Sequence, residues 1–300
     1  MHLQSKDIIG WTGNFSADCV IRNSGTLIWE NNPDISNGSD CYTGQWVLDN
    51  KALLTIARTN TQSFAWRGGS ENTPNVTLTS GSAEINRSGN SQLMIHNSST
   101  LYVKTGVSST DCLTISSPIG QNGTCGLTKT GAGTLKLTAQ NTAAGTLNVT
   151  AGELNLPGKW NGPVSIASSA TLAGNGTISG ALTLAGGATI DASKGAITVS
   201  GEVTVNGVLN VVVGALNANI PILRTNLTEL PADAAITVYC DGTNVTDDVN
   251  ITLTNGVIAV KSKDATEAIT SAEVIFELPM ACIIVSSLIN SLIILFFAYF

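Results

Sequence analysis

Between Gly126 and Leu156 the chain reads GLTKTGAGTLKLTAQNTAAGTLNVTAGELNL, and apolar and polar residues alternate in three short runs, GTLKL, GTLNV and GELNL. Leu135 and Leu137, Leu147 and Val149, and Leu154 and Leu156 fall on one side of their runs. A period of two is the pattern of a strand with one face against a core. A glycine precedes each run, where a sharp bend with positive φ is easiest. Strand, corner, strand, corner, with no helix between, predicts a chain wound as a right-handed parallel β-helix.

The pattern continues to Gly214 through GPVSI, ATLAG, GTISG, ALTLAGGATIDAS, GAITVSG, EVTVNG and VLNVVVG. Its apolar marks are Val164, Leu172, Ile178, Leu184, Ile190, Ile197, Val203 and Leu209. Each interval holds one short strand and a corner, so three strands make a coil of roughly 20 residues. A helix is excluded here, because the apolar residues do not recur at helical spacing and glycine recurs throughout.

The remaining chain divides around this segment. Residues 1–125 read as earlier, less regular coils or a cap, with strands at GTLIWE, QWVLD, ALLTIA, NVTLTS, QLMIH and TLYVK. Trp11, Trp29, Trp46 and Trp66 lie in this part. They suit either a cover over the open end of a solenoid core or a platform on which sugar rings stack. Residues 215–272 carry longer strands and the turn dipeptides Asp241-Gly242 and Asn255-Gly256, which predict a terminal β cap. In residues 273–300, Pro279 precedes the uncharged run Met280–Phe300. About 20 apolar residues suffice to cross a bilayer as a helix, so a C-terminal hydrophobic membrane helix is expected. A final strand folded back on the solenoid and a shifted reading frame are the alternatives.

GLTKTGAGTLKL, with Asn141-Thr142 and then AGELNL, resembles the autotransporter-associated β-strand repeat found in secreted passenger regions of Gram-negative surface proteins. The resemblance covers 126–156 and departs from the family at Ala143, where an aromatic residue is common. It implies a passenger-type β-helix at the cell surface, outside the cell and associated with the bacterial envelope, and it names no activity. Those proteins end in an outer-membrane barrel of many alternating strands, a pattern that this sequence does not carry, so self-translocation is not implied.

Composition narrows the function. Charged residues make up 12% of the chain and the net charge is −7, with 14 Lys and Arg in all. A phosphate backbone demands clustered cations, so nucleic acid is not an expected partner. The six cysteines, Cys19, Cys41, Cys112, Cys125, Cys240 and Cys282, form no CxxC pair. By separation, Cys112–Cys125 and Cys19–Cys41 are possible disulfides, and buried free thiols are the alternative. MHLQSKDIIGW lacks the features of a signal peptide, so the frame is expected to begin inside a longer gene.

Catalytic chemistry has little to stand on. Charges between Gly126 and Gly214 are confined to Lys129, Lys136, Glu153, Lys159, Asp191, Lys194 and Glu202. Polysaccharide cleavage needs paired or metal-held carboxylates, and Asp247 and Asp248, adjacent on a strand, would face opposite ways. Asp40, Asp49 and Asp111 stand alone. No catalytic, cofactor-binding or metal-ligating residue is singled out, and no cofactor is expected. The sequence therefore points to a non-catalytic structural or adhesive surface protein. Its partners would be a host or matrix glycan or protein met by the loops, and a membrane met by Met280–Phe300. A β-helix that binds or degrades polysaccharide is the alternative.

Overall fold

The computed structural model describes residues 2–4, 19–31, 45–58, 64–66, 69–90, 92–95, 99–121, 125–216, 219–230, 235–263, 284–288 and 291–295. The chain separates into two compact units, Met1–Lys263 and Asp264–Phe300.

In the first unit the alternating runs become strands of long parallel sheets. A first face stacks nine strands in the order Cys19–Ile21, Trp46–Leu48, Val76–Leu78, Thr100–Thr105, Gly126–Thr130, Leu147–Val149, Val164–Ile166, Leu182–Ala185 and Val203–Asn206. All of its pairings are parallel. A twelve-stranded second face runs from His2–Gln4 to Ala235–Cys240, also in parallel, and ends in the short antiparallel strand Thr243–Asn244. The third face comes in two pieces. Phe64–Trp66, Leu93–Ile95 and Ile119–Gln121 form one; the other starts at Lys159–Trp160 and ends on the hairpin Val249–Thr254 and Val257–Ser262.

In the parallel pairings each strand stands beside its counterpart one coil later rather than beside the next strand in sequence, which is the connectivity of a solenoid-like stack. The first and second faces cross residues 125 and 126 without a break: Leu101 stands beside Leu127, Leu127 beside Leu147, and Leu113 beside Leu135. Coils of roughly 26–30 residues before Gly126 shorten to roughly 17–21 after it, near the lower limit for such repeats. The shorter coils have less loop between strands, which is why the alternation is plainest there.

Period two sets the interior. Leu113, Leu135, Leu154, Leu172, Ile190, Val211 and Val238 form one inward column on the second face, each beside the next. All are buried, as are the six aliphatic residues expected to face inward between Leu135 and Leu156. Trp46 is buried beside Val76 in a core column of the first face, so it is neither an exposed sugar platform nor an outer cover. Of the other early tryptophans, Trp11 lies outside the described residues, and Trp29 and Trp66 are described only as strand positions.

Three expectations need correction. The glycines before GTLKL and GTLNV, Gly133 and Gly145, do not have positive φ; of the three, Gly152 alone does, at 65°. Space, not backbone handedness, selects Gly145. A Cβ added there would overlap the Cys125 carbonyl, and Gly162, Gly180 and Gly201 repeat this arrangement, each against the glycine one coil earlier. Cys112 is a free thiol on the second face and forms no disulfide with Cys125, whose buried thiol donates to the Ile95 carbonyl. Cys19 is also free, its pKa raised by burial, while Cys41 lies outside the described residues.

The third correction concerns the tail. Within Met280–Phe300 the expected helix is replaced by two antiparallel strands, Ile284–Leu288 and Ser291–Leu295, with Leu288 opposite Ser291. Ile and Val lose side-chain freedom in a helix and fit a pleated sheet, so an apolar run rich in them is ambiguous by hydropathy alone. Among the described residues no helix is long and apolar enough to cross a membrane.

Candidate functional site

The repeat-like stretch 126–156 holds two buried polar side chains, Lys129 and Asn141, and both tie one coil to another. Lys129 lies two residues from Leu127 and so shares its inward direction. In the first-face stack it stands between Val103 and Val149. Its stem lies in the core while its ammonium bends to the corner that leads to the second face. There Nζ donates to the carbonyl oxygens of Ala151 at 2.7 Å, Gly131 at 2.8 Å and Thr130 at 3.3 Å. Gly152 leaves room for this cage: a Cβ there would come within 2.6 Å of Nζ.

Burial pushes the Lys129 pKa down to about 7, and the negative charge of Glu153 opposes that shift. Glu153 faces outward on the second face and is bridged by Lys194, whose Nζ lies 2.9 Å from Oε1 and 2.8 Å from Oε2. Lys194 also lies 3.4 Å from the carboxylate of Asp191. Partial burial acts to lower the Lys194 pKa, but the two carboxylates outweigh it and hold the pKa above the ordinary value. The result is a line of charge from the interior to the surface across neighbouring coils. It can hold corners together, with the three N–H groups of the Lys129 ammonium directed at carbonyls.

Asn141 closes the gap between the two pieces of the third face. Its Oδ1 accepts from the Ile119 amide at 2.9 Å, and its Nδ2 donates to the Lys159 carbonyl at 2.8 Å. Its own amide donates to the same Lys159 carbonyl. One side chain thus replaces a missing strand by serving the coil before and the coil after. The neighbouring Ala143 is fully buried. Replacing Asn141 with Ala should cost about 1–3 kcal/mol, because the buried Ile119 amide loses its acceptor. Urea unfolding of the variant checks this, and a loss under about 0.5 kcal/mol would show that the stitch is dispensable.

The other isolated acids have structural partners or open surroundings. Asp111 is buried, and its carboxylate accepts from the amides of Gly81 at 2.8 Å, Ser108 at 2.9 Å and Val107 at 3.0 Å. The Ser108 bond is the largest influence holding its pKa below the ordinary carboxylate value. Asp49 accepts from the Ser80 hydroxyl at 2.7 Å. Asp247 and Asp248 lie exposed in a 3-10 turn, Thr246–Asp248, rather than on a strand, and Asp40 is outside the described residues. A shallow groove beside Thr225, Asn226, Leu253 and Asn255 contains no titratable side chain. Among the described residues no three His, Cys, Asp or Glu side chains are grouped to hold a metal ion.

No family model, curated protein or solved structure matches the chain. The likeness of 126–156 to the autotransporter-associated repeat therefore rests on its residues alone. Sequence reasoning counted Lys129 among scattered charges and passed over its place. The missed signal was parity with Leu127.

Proposed function

We propose that this chain is a non-catalytic, passenger-type right-handed β-helix that serves as a structural or adhesive element at a bacterial cell surface. The observation that carries this reading is the parallel stack, continuous on its first and second faces, with an aliphatic interior and short polar side chains outside. Thr128, Asn148, Ser165, Thr183 and Thr204 follow one another along the outside of the first face, each beside the next. Such a stack lengthens by about 4.8 Å per coil and resists bending through its sheet hydrogen bonds, which suits a projecting rod. Right-handed connection is the strong preference for parallel strands in one sheet. Polar loops that leave the stack would contact a host or matrix glycan or protein. The uncharged tail Met280–Phe300 would associate with the envelope membrane.

The test is a panel of glycans and matrix proteins probed with the purified chain, together with an assay for polysaccharide cleavage. Binding without product formation is expected. Turnover abolished by replacing one Asp or Glu would favour the polysaccharide-degrading alternative and overturn this proposal.

A further inference from the structure

We propose that Asn206 is a site of self-modification, where the side-chain amide is lost to attack by the Gly207 nitrogen and a carboxylate takes its place. The inference is independent of what the surface binds. The chain contains six Asn-Gly pairs. This dipeptide is the most open to such chemistry, because glycine has no Cβ to hinder the approach of its own nitrogen. Asn37-Gly38 and Asn122-Gly123 lie outside the described residues, which leaves Asn161-Gly162, Asn175-Gly176, Asn206-Gly207 and Asn255-Gly256. In the reaction a bond forms from the Gly207 nitrogen to Asn206 Cγ and the Cγ–Nδ2 bond breaks. The proton given up by the Gly207 nitrogen balances the one that the departing ammonia carries away. Water then opens the cyclic imide at either carbonyl and yields aspartate or isoaspartate.

Ring closure requires the peptide between the two residues to turn towards the side chain, and the fold obstructs that turn at three of the four pairs. The Gly176 amide donates to the Leu156 carbonyl at 2.8 Å, and its Cα packs against the Gly158 carbonyl. Gly162 is buried in the glycine column against the carbonyls of Ala144 and Gly145. The Gly256 carbonyl accepts from the Thr225 amide at 2.6 Å and from its hydroxyl at 3.2 Å. Asn206 differs. It ends Val203–Asn206, the last strand of the first face among the described residues, and both it and Gly207 are exposed. A Cβ on Gly207 would have the Gly186 Cα, at 3.5 Å, as its nearest neighbour. Among the described residues the Gly207 amide donates no hydrogen bond, so nothing holds this peptide against rotation. The product would place a carboxylate at the free edge of the first face, beside the uncharged outer column that ends at Thr204.

Prolonged incubation of the full chain at mildly alkaline pH, in water enriched in heavy oxygen and followed by peptide mapping, tests the proposal. Asn206 should take up label at least about tenfold faster than Asn161, Asn175 and Asn255, which must first open locally. The same mapping in strong urea should abolish that lead, because all four pairs are then unrestrained. No label at Asn206, equal or faster labelling at any of the other three in the folded chain, or an undiminished lead in urea would overturn the proposal.

Discussion

Gly162→Ala should destabilise the solenoid by about 3 kcal/mol, at the top of the usual range for forcing extra volume into a packed site. The added Cβ would stand 2.5 Å from the Ala144 carbonyl oxygen and closer still to that of Gly145. Both obstacles are backbone, so no side chain can swing aside. Any relief must move one coil relative to the next and disturb the sheet pairing of Leu147 with Val164 beside it. Because a stack transmits strain to its nearest neighbours, the loss should appear as a lower denaturation midpoint for the whole transition. Gly214→Ala is the control: its nearest neighbour is the Ser193 Cβ at 3.4 Å, an ordinary contact, and its φ is not positive. That variant should stay within about 0.5 kcal/mol of wild type. Equal midpoints for the two variants would show that the glycine column is not closely stacked.

Leu147→Ala should cost about 2–5 kcal/mol, the range for emptying a well-packed leucine site. Leu147 is fully buried and lies between Leu127 and Val164 in an inward column. A solenoid coil is short, so no loop is available to collapse into the void. Asn148→Ala, on the same strand and directed outward, should change stability by less than about 0.5 kcal/mol. Equilibrium unfolding of the pair reads the strand's register directly. If the order is reversed, with Asn148 the costly position, the chain is paired one residue out of register.

Much of the fold was legible because strand alternation is a local property. Leu135, Leu154 and Leu172 announce their common direction within a few residues each, and Asp241-Gly242 and Asn255-Gly256 adopt the positive φ values that their turns require. The site was less legible. Lys129 carries the right parity for the interior, but a lysine at an inward position makes sense only when acceptors are waiting. Those acceptors come from another corner, at Ala151. Asn141 reads locally as a turn residue, and its value as a stitch depends on Ile119 and Lys159, which are far away in sequence.

The sequence by itself determined that residues 126–214 form short strands and which side chains of each strand point inward. Period two, glycine spacing and the absence of helical recurrence suffice for that. Only the tertiary structure decided which strands stand beside which, because register between coils depends on contacts a full turn of chain apart. That register makes Gly145, Gly162, Gly180 and Gly201 a column in which a methyl group has no room. It also gathers the carbonyls that receive Lys129. The tail shows the same division: its apolar character is local, whereas pairing Ile284–Leu288 with Ser291–Leu295 satisfies backbone groups across strands, which hydropathy does not register.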